Sequence, residues 1–270
     1  RADIEFEIEL EDKTTRWVLG SMNTSKTTGD YILVVHDITQ LRQLNSMRRD
    51  FISNLSHELR TPVSVIRANS ETLLDGALDN KKEAKTFAKA ILHNSERLSV
   101  MVADLIDLSR IEYGDLKLNI KKIDLITFMD DFVTSMKSVT KKKEIEIIFK
   151  SNHYDFVKAD PQALERIMNN LVDNAFKYSE KGSSIEISTI TEHQHVKVMV
   201  SDSGIGVSDE DKDHIFDRFY RTASARASDN KGSGLGLAIV KNLTNSLNGE
   251  VGVESKNDSG SVFWFTIPIN

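Results

Sequence analysis

Residues 37–62 read DITQLRQLNSMRRDFISNLSHELRTP. Apolar side chains fall at Leu41, Leu44, Met47, Phe51, Leu55 and Leu59, three or four apart, which is the spacing of a helical stripe. Asp37-Ile38-Thr39-Gln40 stands at its head with capping-box spacing, a carboxylate able to accept from the backbone three residues on. The stripe continues past Pro62 through Val65 and Ile66 to Leu73 and Leu74, and Asp75–Lys82 supplies a turn. A second stripe follows at Phe87, Ile91, Leu98, Val102, Leu105 and Leu108 and ends near Tyr113-Gly114. Helices of about 35 and 30 residues are long for a globular domain and ordinary for an antiparallel helical hairpin. A single hairpin has an apolar seam and nothing of its own to cover it, so the pattern predicts a homodimer in which two hairpins form a four-helix bundle.

The flanks carry other periods. Residues 4–11 alternate apolar and acidic side chains, the signature of a strand, and Arg16–Met22 and Tyr31–Asp37 read as two more. Three such strands bury little core and need a partner or the remainder of a domain. From Lys117 the pattern is mixed. Strands are expected at Leu116–Ile120, Ile145–Phe149, Ser184–Thr191, Val196–Ser201, Glu250–Ser255 and Ser261–Pro268. Helices are expected at Leu125–Thr140, Pro161–Tyr178 and Ser233–Leu247, the second with proline at its first position after Asp160. Strands outnumber crossover helices, so an α+β sandwich fits better than a doubly wound sheet. The expected division is a β fragment at 1–39, a helical hairpin at 40–114 and an α+β domain at 115–270.

Composition removes several classes of function. The absence of cysteine excludes disulfides and thiolate metal sites. With 35 basic and 41 acidic residues the net charge is −6, which argues against a nucleic-acid partner. Three prolines in 270 residues suit long uninterrupted helices. No apolar run approaches the ~18 residues of a membrane span, so no membrane contact is expected within this segment. The opening at Arg1 leads to the expectation that the chain is part of a longer parent.

Three clusters could carry chemistry. In Ser56-His57-Glu58-Leu59-Arg60-Thr61-Pro62, His57 lies two residues from both Leu55 and Leu59 and so projects from the solvent side of the stripe. A lone surface histidine is ordinarily just solvated. Pro62 changes the reading, because a mid-helix proline frees a carbonyl one turn back at a cost of ~3 kcal/mol unless offset. Neutral imidazole is a good nucleophile near neutral pH, and Glu58 can take the proton from the other ring nitrogen. Asn170, Asn174, Lys177 and Tyr178 fall at i, i+4, i+7 and i+8 on one helical face, opposite an apolar face. Two amides and an ammonium can ligate a hydrated divalent cation and reach phosphate oxygens, although an ordinary polar helix exterior gives the same pattern. Asp202-Ser203-Gly204-Ile205-Gly206 follows an expected strand, and Gly232-Ser233-Gly234-Leu235-Gly236-Leu237 opens an expected helix, where bare backbone donors can cradle phosphate. Between them, Ile215–Arg221 and the polar stretch to Lys231 read as a mobile lid.

Taken in order, these motifs resemble those of the sensor histidine kinases of bacterial two-component systems. Ser56–Pro62 resembles the phosphoacceptor H box, Asn170–Tyr178 the N box, Asp202–Gly206 and Gly232–Leu237 the two glycine boxes, and Phe216–Phe219 the F box, over residues 40–270. Residues 1–39, ending in Asp37-Ile38-Thr39, resemble the last strands of a PAS sensor domain. The resemblance implies a Bergerat-type ATP-binding fold for the α+β domain, with ATP and Mg²⁺ as ligands. Asp202 would accept from the adenine amino group, and Asn170 would ligate Mg²⁺ with Asn174, Lys177, Tyr178 and Arg221 nearby. Gly204, Gly206, Gly232, Gly234, Leu235, Gly236 and Leu237 would shape the nucleotide site and its lid. His57 would attack the γ-phosphorus while Glu58 withdraws a proton, and the phosphoryl group would pass to an aspartate of a response regulator receiver domain. Thr61, in E-x-x-T, would position water for dephosphorylating that regulator. The resemblance also implies a cytoplasmic fragment of a parent anchored in the bacterial membrane. Two other readings stay open: a nucleotide-binding signalling scaffold with degenerate kinase activity, and a GHKL-type ATPase.

Overall fold

A computed structural model describes residues 2–10, 13–24, 30–112, 114–151, 156–227, 232–255 and 260–269. The chain divides into two compact units, 1–61 and 62–270.

In the first unit, β1 (Ala2–Glu9), β2 (Thr15–Thr24) and β3 (Tyr31–Asp37) form an antiparallel sheet in that order. Ile4 opposes Gly20, and Gly20 opposes Val35. The sheet passes directly into α1 (Thr39–Leu74). Ile38 N–H donates to the Trp17 carbonyl at 2.8 Å, and Trp17 N–H donates to Thr39 Oγ1 at 2.9 Å. The expected cap is shifted by one residue: Asp37 accepts from the N–H of Thr39, not of Gln40, at 2.9 Å. Bonds from the Thr39 hydroxyl and backbone, together with Arg16 at 2.6 Å, hold the Asp37 carboxyl at about 2. Arg42, one turn into the helix, pairs with Glu5 and lies 4.6 Å above the Trp17 ring. Leu41, Leu44 and Met47 stay more than half exposed, as an apolar seam without a cover would be.

The helix α1 runs through Pro62 without interruption. In the second unit its last part leads through a 3₁₀ turn (Ala77–Asp79) into α2 (Lys81–Glu112), giving the expected helical hairpin. The end of the second stripe at Tyr113 lies outside the described residues. None of the described helices is long and apolar enough to cross a membrane.

A lobe of β4 (Lys121–Asp124), α3 (Leu125–Ser135), α4 (Lys137–Lys143), β5 (Glu146–Lys150), β6 (Phe156–Ala159), α5 (Pro161–Tyr178), β7 (Ser184–Glu192), β8 (His195–Ser201), α6 (Asp209–Lys212), α7 (Ala223–Ala227), α8 (Gly236–Ser246), β9 (Val251–Ser255) and β10 (Ser261–Pro268) follows. Its main sheet has the order β5-β7-β8-β10-β9, antiparallel except for the β5–β7 pair, and β4 and β6 form a separate ribbon. The α+β expectation is met. Two details differ. The strand expected at Leu116–Ile120 begins only at Lys121, because its partner β6 supplies ladder positions from Phe156 to Ala159 alone. The helix expected at Leu125–Thr140 breaks at Met136, where Phe132 and Val133 carbonyls both accept from the Met136 N–H and a new helix starts.

The core is the apolar side of α5 and α8 packed on one face of the sheet. Leu164, Ile167, Met168, Leu171 and Val172 meet Ile185, Ile187, Val198 and Phe265, all at 1% exposure or less. Burial of such a side chain contributes about 1.5–3 kcal/mol. Asp160 caps α5, accepting from the N–H groups of Gln162 at 2.8 Å, Ala163 at 3.1 Å and Asn119 at 2.6 Å. Burial alone would raise its carboxyl, but these three donors outweigh burial and hold it below the usual carboxylate range. A depressed folded pKa stabilises the fold above the unfolded value and loses that contribution as pH falls through the folded one. Asp160→Ala is therefore expected to cost about 1–2 kcal/mol at pH 7 in denaturant melts, with a smaller difference near pH 2.

Candidate functional site

α5 is amphipathic because its wet side is built from the residues that the core does not need. On that side Asn170 and Asn174 are half-buried and Lys177 is exposed. The Asn170 amide nitrogen donates to the Arg166 carbonyl one turn back at 2.8 Å. That bond orients the side chain and leaves Oδ1 as the atom available to a ligand. A Cβ on Gly236 would lie 2.7 Å from this oxygen, so only glycine at the first turn of α8 lets the two helices approach without covering it.

Asp202 directly follows β8 and is 4% exposed. Its Oδ1 accepts from the N–H groups of Gly204 at 2.8 Å and Ser261 at 3.2 Å, and its own N–H donates to the Ser261 carbonyl at 2.9 Å. The carboxylate is thereby fixed to the loop after β8 and to the start of β10. A Cβ at Gly260 (φ +101°) would strike the Asp202 carbonyl at 2.1 Å, so this approach needs glycine.

The segment after α6 closes the site. Tyr220 donates its hydroxyl to Asp211 at 2.5 Å, and Arg221 donates to the Ala225 carbonyl of α7. Phe219 takes a left-handed conformation (φ 61°) and its N–H donates to the Gly234 carbonyl at 2.9 Å. Part of the expected lid, residues 228–231, lies outside the described residues, and Ala223–Ala227 within it is helical.

These elements surround a cavity of about 330 Å³. Asn170, Asn174, Lys177 and Tyr178 line it from α5, and Asp202 and Gly206 from the end of β8. Arg221, Gly232, Gly234, Gly236 and Leu237 also line it. Of the residues expected to form this site, Gly204 and Leu235 do not reach it. A Cβ on Gly204 would meet the Tyr178 carbonyl at 2.8 Å, and Leu235 is wholly buried in the core, so both support the cavity from behind. His57, Glu58 and Thr61 belong to the other unit, where His57 and Thr61 are exposed and Glu58 half-exposed on α1. The Thr61 hydroxyl makes a long bond of 3.4 Å to the His57 carbonyl.

The cavity also has walls that motif reading missed. Arg97, Val100, Met101 and Asp104 of α2 line it, at i, i+3, i+4 and i+7 of one helical face. Asp104 is 6% exposed and pairs with Arg166 of α5, which also reaches Asp107 at 3.4 Å. Burial pushes the Asp104 carboxyl up, against the pull of Arg166. The signal for these residues was present: a mixed polar and apolar face on α2, distinct from the stripe of Leu98 and Leu105. Tyr220 and Ser261 likewise line the cavity without standing in a motif singled out for ligand contact.

Comparison with known proteins places this geometry. Residues 47–114 match the His Kinase A (phospho-acceptor) domain family. Residues 159–270 match the histidine kinase-, DNA gyrase B- and HSP90-like ATPase family. The chain is 35% identical to the sensor-like histidine kinase SenX3 of Mycobacterium bovis over 237 residues, 88% of this chain and 58% of that protein. It is 33% identical to the sensor histidine kinase WalK of Bacillus subtilis over 269 residues, 97% of this chain and 44% of that protein. It thus spans about half the length of these relatives. The crystal structure of full-length ShkA in complex with AMPPNP is similar with a TM-score of 0.60 at 27% identity, over 82% of this chain and 45% of that one.

Gly234 tests whether the loop contact is structural. At φ +71° a methyl group would lie 2.7 Å from Phe219 Cα, inside backbone that cannot yield. Gly234→Ala is expected to destabilise the fold by about 1–3 kcal/mol in chemical melts and to open the loop, raising proteolysis near Phe219.

Proposed function

Because the chain belongs to the two-component sensor histidine kinases, we propose that it phosphorylates itself on His57 from ATP and passes the phosphoryl group to an aspartate on a response regulator receiver domain. The observation that carries this reading is the convergence in one cavity of an amide-bearing helix face, a buried aspartate and a glycine-rich helix start that are far apart in sequence. In this reading Asp202 accepts from the adenine amino group, a neutral donor well suited to a carboxylate already fixed by two backbone bonds. Lys177 and Arg221 meet phosphate oxygens, with Asn174 and Tyr178 beside them, and Gly206, Gly232, Gly234, Gly236 and Leu237 shape the site. Mg²⁺, when bound, neutralises phosphate charge, and Asn170 Oδ1 is the atom of this chain that would ligate it. The geometry fits that ligand, since Gly236 leaves the oxygen uncovered.

His57 attacks the γ-phosphorus as the bond to the β-phosphate oxygen breaks and ADP leaves, while Glu58 takes the proton from the other ring nitrogen. Positioning and charge neutralisation do most of this work, as in other phosphoryl transfers. The proposed domains are a PAS-like fragment at 1–39, the phosphoacceptor hairpin at 40–114 and the ATP-binding domain at 115–270. The exposed Leu41, Leu44 and Met47 support assembly as a homodimer through the hairpin. ATP is a cytoplasmic substrate, which supports a cytoplasmic place for this part of a membrane-anchored sensor.

Labelled ATP should place acid-labile phosphate on the protein, and His57→Gln should abolish it. Acid-stable label, or label unaffected by that change, would favour a scaffold or a GHKL-type ATPase. Asn170→Asp sets a charge against the phosphates and should lower the labelling rate at least ~100-fold.

Thr61 supports a second activity. Its bond to the His57 carbonyl is too long to occupy the hydroxyl fully, and the side chain is exposed one turn beyond His57. In our reading the hydroxyl orients water toward a regulator's phospho-aspartate. Thr61→Ala should keep most labelling of His57 and lose dephosphorylation of purified phospho-regulator. Equal loss of both would make Thr61 a structural residue easing the Pro62 distortion.

A further inference from the structure

Arg221 reaches the cavity from a loop, so something must hold it there. Two residues before it, the Phe219 N–H donates to the Gly234 carbonyl at 2.9 Å. Each residue beyond that bond adds two soft dihedrals, and a guanidinium placed by the backbone alone would sweep a wide arc. Tyr220, between the two, supplies the next anchor. It lines the cavity, and its hydroxyl donates to Asp211 Oδ1 at 2.5 Å.

Asp211 is fit to be an anchor because it is itself held. Ser208 caps α6: its hydroxyl accepts from the Asp211 N–H at 3.3 Å and donates to Asp211 Oδ2 at 2.6 Å. The Ser255 hydroxyl donates to the Val207 carbonyl, which ties the start of α6 to β9. The neighbouring acids turn elsewhere, Asp209 to Lys212 at 2.5 Å and Asp217 to His214 at 3.1 Å. On the far side of Arg221, Arg226 donates its Nε–H to the Arg221 carbonyl at 2.9 Å, and its charge also acts on Asp211. One carboxylate thus bears on Arg221 from both directions along the chain.

We propose that Asp211 is a positioning residue for phosphoryl transfer, holding Arg221 over the nucleotide phosphates through the Tyr220 hydroxyl. The proposal rests on the kinase reading above. Asp211 is not among the residues lining the cavity, so it acts through the two that are. Bonds from the Ser208 and Tyr220 hydroxyls hold the Asp211 carboxyl below the usual carboxylate range, and the same contact raises the Tyr220 hydroxyl. At neutral pH a phenol therefore faces a carboxylate, and a hydrogen bond to a charged acceptor is roughly twice as strong as one between neutral groups. A cation fixed in this way before the reaction needs no rearrangement as charge shifts onto the β-phosphate oxygen.

The test compares Asp211→Ala, Asp211→Asn, Tyr220→Phe and Arg221→Ala with the parent chain, reading the labelling rate of His57 and, by calorimetry, the affinities for ADP and AMPPNP. Asp211→Ala and Tyr220→Phe should each slow labelling roughly 10-fold at saturating ATP, the effect of a misplaced group. ADP affinity should stay near that of the parent, since the Asp202 end of the site is untouched. Asp211→Asn keeps an oxygen that can accept from Tyr220 and should recover part of the rate. In the Arg221→Ala background Asp211→Ala should slow labelling no further, whereas a role in the fold alone would add its own loss there. The preference for AMPPNP over ADP should fall alike in Asp211→Ala and Arg221→Ala. A further loss in the Arg221→Ala background, or parent-like labelling by Asp211→Ala, overturns the proposal. If the parent chain itself takes no label, the kinase reading fails, and the nucleotide preference still decides: a value that Asp211→Ala leaves unchanged shows that Asp211 does not act through Arg221.

Discussion

The dry face of α5 is the constraint on which the rest of the lobe depends. Leu164, Ile167, Met168, Leu171, Val172 and Ala175 must all leave water, and at 3.6 residues per turn that requirement settles where every other residue of the helix points. The burial of their neighbours is what places Asn170, Asn174 and Lys177 over the cavity. Asp160 starts the helix by satisfying its first donors, and Pro161 fits the one position that needs none. A shift of one residue in this helix would rotate its polar face by about 100° and disperse the site.

Glycine sets the second constraint, at points where a neighbouring segment comes too close to leave room for a Cβ. Gly234 lies against Phe219, and Gly236 against Asn170. These approaches join the start of α8 to the segment after α6 and to α5. A glycine-rich helix start is commonly explained by its bare donors toward phosphate. Here the same residues are needed already for packing, so part of the motif's chemistry is mechanical: it lets three elements converge.

Much of this was legible in the sequence because the periods were strong. The stripes of the two long helices and the proline start of α5 appear where the pattern places them, and the alternation from Ile4 falls in β1, which runs Ala2–Glu9, while Glu11 lies outside the described residues. The β4–β6 ribbon was obscured because its strands are four residues each and carry lysines at Lys121, Lys122 and Lys158, too short for alternation to register. The break at Met136 depends on how α3 and α4 pack, which local propensity does not contain. The α2 wall was hidden for another reason. A helix that serves two partners has two faces to bury, and the stripe of Leu98 and Leu105 masked the interleaved face of Arg97, Met101, Asp104 and Leu108. The pairing of Arg166 with Asp104 was hidden too, since an ion pair across 62 positions has no local signature.

Electrostatics links these elements to the proposed substrate. The whole chain carries −6, yet the charged side chains lining the cavity are Arg97, Arg166, Lys177 and Arg221 against Asp104, Asp173 and Asp202, an excess of one positive charge. The acidic surplus is therefore elsewhere, and the cavity is locally the place where an anion is favoured. One excess charge does not balance a triphosphate of roughly four negative charges, which explains why a divalent cation belongs in the reaction. It also explains why the proposed ligand is an amide. A fourth carboxylate, at position 170, would cancel that excess, whereas Asn170 offers an oxygen to the metal and adds no charge to the wall.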